Sequence, residues 1–120
     1  MTALGSPIPK ERSVQIADTI RKQIPPIVLM SMGANKFNWI KNSEKYEGGL
    51  SFEFQNTSLV KKVRIHIQLT WSDNYTVVLV GIDYKKEKIF KVIKGVYFPE
   101  LGQTLDKLVE SEETLKTWKH

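Results

Sequence analysis

The stretch Val60–Tyr84, VKKVRIHIQLTWSDNYTVVLVGIDY, decides the fold of this chain. Its first half alternates apolar and polar residues from Val63 to Trp71, and a period of two is typical of a strand with one buried face. Its second half, from Tyr75 onward, is rich in β-branched and aromatic residues, which fit a pleated surface. The polar residues between the halves indicate a turn. The stretch therefore predicts a long antiparallel hairpin at the centre of a sheet.

The turn at Asp73-Asn74 determines which residues of this hairpin oppose one another. Both residues tolerate positive φ, so we favour a two-residue turn. That register sets apolar residues against apolar ones and opposite charges together, in the pairs Leu69–Val78, Ile67–Val80, Ile65–Ile82 and Arg64–Asp83. The alternative is a three-residue turn, which pairs Val63 with Asp83 and His66 with Val80.

The favoured register leaves apolar residues on the second face of the hairpin. Tyr75, Val77 and Leu79 lie there, beside polar residues of the first strand. An apolar face of this kind is covered by a helix of the same chain or by a partner. These three are therefore the predicted partner-binding residues. Trp71, on the apolar face of its strand, is predicted to lie in the core.

Helical spacing flanks the hairpin on both sides. The first helix follows Pro9, with Val14, Ala17, Ile20 and Ile24 three or four residues apart, and Pro25-Pro26 ends it. The last helix begins at Pro99, and the residues at helical spacing are Leu101, Leu105, Leu108, Val109 and Leu115.

The shorter stretches indicate further strands. Apolar Ile27–Met32 lies between prolines and Gly33, which favours a strand, and Phe37–Ile40 predicts a strand or a packed loop. Further along, the predicted elements are a loop over Lys41–Gly49, a strand with one wet face over Leu50–Gln55, and a last strand over Ile89–Val96 with a bulge near Gly95 or an edge position.

Together these elements predict one α+β domain over residues 1–120. A mostly antiparallel sheet of about five strands is flanked by an N-terminal and a C-terminal helix, and residues 1–9 form a loose lead-in. A chain of 120 residues suffices for one core. The fractions of 41% hydrophobic and 26% charged residues are close to those of ordinary folded proteins and argue against global disorder.

The residue types argue against catalysis and metal binding. There is no cysteine, and the only histidines are His66 and His120. The glycines Gly33 and Gly48-Gly49 build neither a phosphate loop nor a dinucleotide fingerprint, and no nucleophile elbow is present. The sequence therefore predicts a protein that is not an enzyme, with no catalytic residue, no metal site and no cofactor.

The expected location is the cytoplasm. No apolar run reaches the roughly 18 to 20 residues of a membrane span, and the N-terminus lacks the basic-then-apolar order of a signal peptide. No membrane partner is therefore predicted.

A basic excess is the one feature that points to a partner. The net charge is +5, and residues 61–94 alone carry 8 basic and 3 acidic residues. The hairpin brings its first residues close to the charged turn that follows it, and the predicted nucleic-acid-binding residues are Lys61, Lys62, Arg64, Lys85, Lys86, Lys88, Lys91 and Lys94. Such contacts would be electrostatic and independent of base sequence. The alternative is that these lysines only solubilise a sheet edge and block its pairing.

The chain also resembles short proteins of unknown function encoded by bacteriophages and prophages. The resemblance spans about residues 15–110 and is carried by Ala17–Ile20, Met30–Phe37, Gly49–Phe52, Ile65–Leu69 and Asp73–Val77. This chain departs from the pattern in Pro25-Pro26, where glycines are expected, and in a longer loop at Lys41–Gly49. The resemblance implies a helix-sheet-helix fold and a phage or mobile-element origin, and it assigns no catalytic residue.

Two functions follow as expectations. The first is a small non-catalytic accessory protein of a phage or mobile element that binds nucleic acid through the lysine-rich sheet end. The alternative is a protein-binding module that inhibits a host protein or forms a homodimer. If the chain is phage-encoded, the host cytoplasm is its expected location.

Overall fold

A computed structural model describes residues 10–54, 62–83 and 86–110 of the chain. The elements in chain order are α1 (Lys10–Gln23), α2 (Pro26–Met32), β1 (Asn35–Ile40), β2 (Tyr46–Phe54), β3 (Lys62–Thr70), β4 (Tyr75–Asp83), β5 (Lys86–Val96), a 3-10 turn (Phe98–Glu100) and α3 (Leu101–Glu110). The strands form one sheet in the order β1-β2-β3-β4-β5, and every neighbouring pair is antiparallel. The predicted α+β class, with a five-stranded sheet and a helix at either end, is confirmed.

All three helices pack on one face of the sheet, the covered face. The core residues from the helices are Ile16, Ala17, Ile20, Ile24, Val28, Met32, Leu101, Leu105 and Leu108. Those from the strands are Leu50, Phe52, Phe54, Val63, Ile65, Ile67, Tyr75, Val77, Leu79 and Val96. Within each of the three central strands these residues alternate, as a period of two requires. Residues of the opposite parity, such as Ser51, His66 and Val78, lie outside this core and form the second face.

The central hairpin is confirmed, but neither predicted register is correct. The paired residues are Leu69–Tyr75, Ile67–Val77, Ile65–Leu79 and Arg64–Val80. A three-residue loop, 71–73, connects the strands, because the Thr70 amide donates to the Asn74 carbonyl at 2.8 Å. The Asn74 side chain also contacts the Thr70 hydroxyl at 2.8 Å, and only Asp73 takes a positive φ, of 62°. Asn74 therefore joins the ladder instead of the turn, which shifts every predicted pair.

The stretch predicted as a strand at Ile27–Met32 is the helix α2. Pro26 occupies its first turn, where the missing amide costs nothing. Gly33 ends it in the left-handed conformation, with its amide directed to the carbonyls of Leu29 and Met30. Val28 and Met32, four residues apart, turn one side of the helix into the core. An apolar run this short carries too little periodicity to separate the two structures.

Strand β2 begins earlier than predicted and has no wet face. It starts at Tyr46, so Gly48 and Gly49 lie within the strand and the loop is shorter than Lys41–Gly49. A Cβ on Gly49 would lie 2.3 Å from the Ile67 carbonyl oxygen, so glycine is required where β2 meets β3. Ser51 and Glu53, on the second face, are 5% and 8% exposed.

Strand β5 lies at the edge of the sheet and contains a bulge near Gly95, as predicted, but it begins at Lys86 instead of Ile89, so Lys86–Lys88 belong to the strand and not to a turn. Gly95 has a φ of 70°, and the ladder with β4 is irregular there. A second irregularity lies at Phe90: Ile89 pairs with Val80 and Lys91 with the adjacent Leu79, so β5 has one residue more than β4 there. The predicted last helix is confirmed as α3, and its continuation through Leu115 lies outside the described residues.

Candidate nucleic-acid interface

Four exposed lysines lie along strand β5, and we call them the lysine row: Lys86, Lys88, Lys91 and Lys94. Direct cross-strand partners share a face of the sheet. Lys88 pairs with Gly81 and Lys91 with Leu79, so both belong to the side of the covered face, as does Lys86. The bulge at Phe90 produces this alignment, because a regular strand would send positions 88 and 91 to opposite faces.

The acidic residue within β5 lies on the other side of the strand. Glu87 pairs with Ile82, which has the parity of the second face. His66, which pairs with Val78, lies on the same face. The side of β5 that carries Lys86, Lys88 and Lys91 therefore receives no carboxylate from its own strand.

The remaining predicted nucleic-acid-binding residues do not join the lysine row. Lys61 and Lys85 lie outside the described residues, and of Lys62 only the backbone, opposite Ile82, is described. Arg64 points to the second face, two strands away from β5. The structure thus keeps four of the eight residues on one strand.

Arg64 serves as the counter-ion of a buried carboxylate. Its Nη2 donates to Oε2 of Glu53 at 3.0 Å, and Nζ of Lys36 lies 3.8 Å from the same oxygen. The Glu53 side chain is only 10% exposed, so its charge requires a partner. The guanidinium is therefore engaged within the sheet instead of facing a phosphate.

The predicted partner-binding residues Tyr75, Val77 and Leu79 lie in the core. They are 5%, 0% and 1% exposed, because the corrected register places them on the covered face. The Tyr75 hydroxyl donates to Oε1 of Gln23 in α1 at 2.6 Å, and burial raises the pKa of Tyr75. The prediction that these residues lie on a less covered face is wrong.

His66 lies on the second face between Ser51 of β2 and Val78 of β4. Burial lowers the pKa of His66, the charge of Arg64 lowers it further, and Glu87 opposes both effects. The neutral imidazole is therefore favoured at neutral pH. Across the described ranges, no three His, Cys, Asp or Glu side chains gather into a group that could hold a metal.

Neither of the two tryptophans in the described ranges lies on β5. Trp71, predicted in the core, is 55% exposed in the β3–β4 loop, where its Nε1 donates to the Glu44 carbonyl at 2.9 Å. Trp39 lies on β1, at the opposite edge of the sheet from β5. Trp118 lies outside the described residues.

Helix α2 presents an apolar surface that the sequence did not reveal. Ile27 and Met30 are 68% and 75% exposed, and α2 contains no charged residue. A groove of about 580 Å³ runs between α1 and α2, lined in part by Leu29, Met30 and Arg21. Because a strand was predicted at this position, the exposed apolar side of the helix was not predicted.

Comparisons with known proteins identify no relatives: no family model, no curated protein and no solved structure matches the chain. Among the helices of the described ranges, none is long and apolar enough to cross a membrane.

Proposed function

We propose that the protein is a small non-catalytic accessory protein that binds the phosphate backbone of nucleic acid through the lysine row. The observation that carries the proposal is the bulge at Phe90, which brings Lys86, Lys88 and Lys91 to one side of an exposed edge strand. Along a strand, residues are spaced at roughly 3.3 Å, so the row from Lys86 to Lys94 extends over about 26 Å.

The composition of the row favours contact with phosphate over the reading of bases. The chain contains fifteen lysines and three arginines, and Arg64, the arginine nearest the row in sequence, is paired with Glu53. A lysine ammonium acts as a point charge, whereas the bidentate contact with guanine is characteristic of arginine. Binding would therefore depend on charge and on salt more than on sequence.

Measured affinity as a function of salt tests the proposal. If four phosphates are neutralised, the slope of log K against log salt is about −3.6 for duplex DNA and about −2.8 for a single strand. Fluorescence anisotropy with labelled oligo(dT), a random duplex and a random RNA, between about 50 and 200 mM salt, gives these slopes. No binding of any probe at the lowest salt would overturn the proposal.

A matched pair of triple variants separates the lysine row from general charge. The first variant is K86E/K88E/K91E, and the control is K41E/K45E/K107E, which changes the net charge equally at exposed sites away from β5. We expect the first to abolish binding and the control to weaken it only modestly, because local contacts exceed long-range attraction under screening. Equal losses in both variants would contradict a site on β5.

The phage or mobile-element origin forms part of the same proposal and rests on the resemblance described above. Gene neighbourhood tests it. Genes for nucleic-acid replication or processing nearby would support a nucleic-acid partner, and a region devoted to host takeover would support a protein partner instead.

The second candidate function is a protein-binding module whose partner is another copy of the chain. The observation that favours it is that β5 carries Glu87 near its first end and Lys94 near its last, so two antiparallel copies of the strand can pair opposite charges.

A further inference from the structure

β5 is the last strand of the sheet and forms one of its two edges. β5 spans eleven residues, Lys86–Val96, and within the described part of the chain only β4 pairs with it. Exposed edge strands are templates for pairing with another chain, and proteins block such pairing with lysines and bulges. β5 contains both devices, so whether they prevent pairing depends on what faces each lysine.

We propose that a second copy of the chain pairs its β5 antiparallel to this one, about a two-fold axis between Phe90 and Lys91. The sheet then continues across the axis with ten strands. In this register Glu87 faces Lys94 of the second copy, and Ile89 faces Val92 of the second copy. Two-fold symmetry repeats each pair, so both copies contribute the same surface.

This register sets no lysine against another lysine. Lys86 faces glycine, Lys88 faces isoleucine, Lys91 faces phenylalanine and Lys94 faces glutamate. A shift of one residue in one direction sets Lys86 against Lys94, and a shift in the other direction sets Lys88 against Lys94. Like charges directly opposite each other destabilise a strand pair. The lysines of β5 therefore disfavour the two neighbouring registers, and the pairing of Glu87 with Lys94 favours the proposed one.

The faces match as well as the charges. Glu87, Ile89 and Val92 lie on the second face, opposite Ile82, Val80 and Val78. Lys94 follows Ile93, which has the parity of the covered face, so alternation places Lys94 on the second face with them. The bulge at Phe90 lies at the two-fold axis, next to the same bulge of the second copy. Both strands therefore contain the extra residue, so residues of the second face oppose residues of the second face on either side of the axis.

The pairing covers apolar surface that the single chain exposes. Ile89 is 63% exposed and Val92 is 45% exposed, next to Val78 and Val80 of β4. Pairing sets Ile89 of each copy beside Val92 of the other. The inference rests on the second candidate function, pairing with another copy of the chain. Of the lysine row it uses only Lys94, on the second face, whereas Lys86, Lys88 and Lys91 belong to the side of the covered face.

The test is the mass of the protein in solution and its response to a charge exchange. Sedimentation velocity without nucleic acid is expected to show twice the chain mass of 13.8 kDa. In E87K, and separately in K94E, two attractive pairs become repulsive. The dissociation constant should then rise about thirtyfold if each pair has the usual cross-strand strength. The exchange E87K/K94E restores both pairs and should restore the dimer.

The control is M30K, which adds a positive charge at the exposed surface of α2 and should leave the mass unchanged. Circular dichroism confirms that each variant is folded before its mass is interpreted. Three results would overturn the proposal: a wild-type chain that stays at 13.8 kDa at every concentration, single variants that remain fully dimeric, or a double exchange that fails to restore the dimer.

Discussion

Glu53 shows how one buried charge organises the second face of the sheet. Its Oε2 atom accepts from Arg64 and lies near Lys36, so side chains from three consecutive strands or their flanks converge on one carboxylate. Nε of Arg64 is also buried, and it has no hydrogen-bond partner among the described residues. The ion pair therefore leaves one buried donor of Arg64 without a hydrogen bond. Loss of either residue is costly, because the charge of the other would stay buried without its partner.

We expect Arg64→Leu to lower the free energy of unfolding by about 2 to 3 kcal/mol, because the Glu53 charge stays buried without its main partner. The value lies below that for fully buried pairs, since the Arg64 side chain is 27% exposed. Urea unfolding measures it. The control is Arg12→Leu, because Arg12 is half exposed and lies 3.8 Å from Glu47, so its loss should cost less than about 1 kcal/mol. Equal losses in both variants would contradict the structural role of Arg64.

The lowered pKa of His66 predicts a pH-dependent stability. As the pH falls below about 6.5, the unfolded chain takes up a proton that the folded chain resists, so protonation favours unfolding. The contribution of neutral His66 is intact above that pH and is lost as the pH falls towards the lower folded pKa. We expect wild-type stability to fall more than that of His66→Gln between pH 7.5 and pH 5.5, measured by urea unfolding. Parallel curves would contradict a lowered pKa, because His120 is common to both chains.

At the scale of elements, two strand glycines are favoured for different reasons: Gly49 by lack of space for a side chain and Gly95 by its positive φ. Gly49 has no room for a Cβ, because the Ile67 carbonyl oxygen is rigid backbone, whereas Gly95 has open space and a φ of 70°. We expect Gly49→Ala to cost about 3 kcal/mol or more, since β2 and β3 must separate. Gly95→Ala should cost only about 1 kcal/mol of backbone strain. Thermal or urea unfolding measures both, and a reversed order would contradict the close contact between β2 and β3.

The elements that could be predicted from the sequence are those with one buried side and one polar side. Helices α1 and α3 and strand β3 carry a clear period, and their type follows from it. α2 is apolar on nearly every side, so its type depends on the proline before it and Gly33 after it. The register of the β3–β4 hairpin depended on one residue, because Thr70 binds Asn74 and removes it from the turn. The alternation of apolar and polar residues does not reveal whether Asn74 pairs with Thr70 or belongs to the turn.

At the scale of the whole molecule, the sequence predicted which residues are basic but not which of them act together. Of the basic residues in 61–94 whose side chains are described, Arg64 faces Glu53 and the four others form the lysine row on β5. That division depends on the bulge at Phe90, an irregularity in the ladder that spacing along the chain does not reveal. The candidate site was therefore predictable as a segment of the chain and not as a surface. The predicted exposure of Tyr75, Val77 and Leu79 was wrong because it depended on an incorrect hairpin register.

The strictly sequential order of the strands has a consequence for synthesis on the ribosome. Each strand pairs with the strand made just before it, so the sheet can grow one hairpin at a time as the chain emerges. α3 is made after the whole sheet, yet Leu101, Leu105 and Leu108 belong to its core. A nascent chain that has reached β5 but not α3 therefore exposes part of the apolar covered face. That interval is when the growing protein is most open to chaperones and to aggregation.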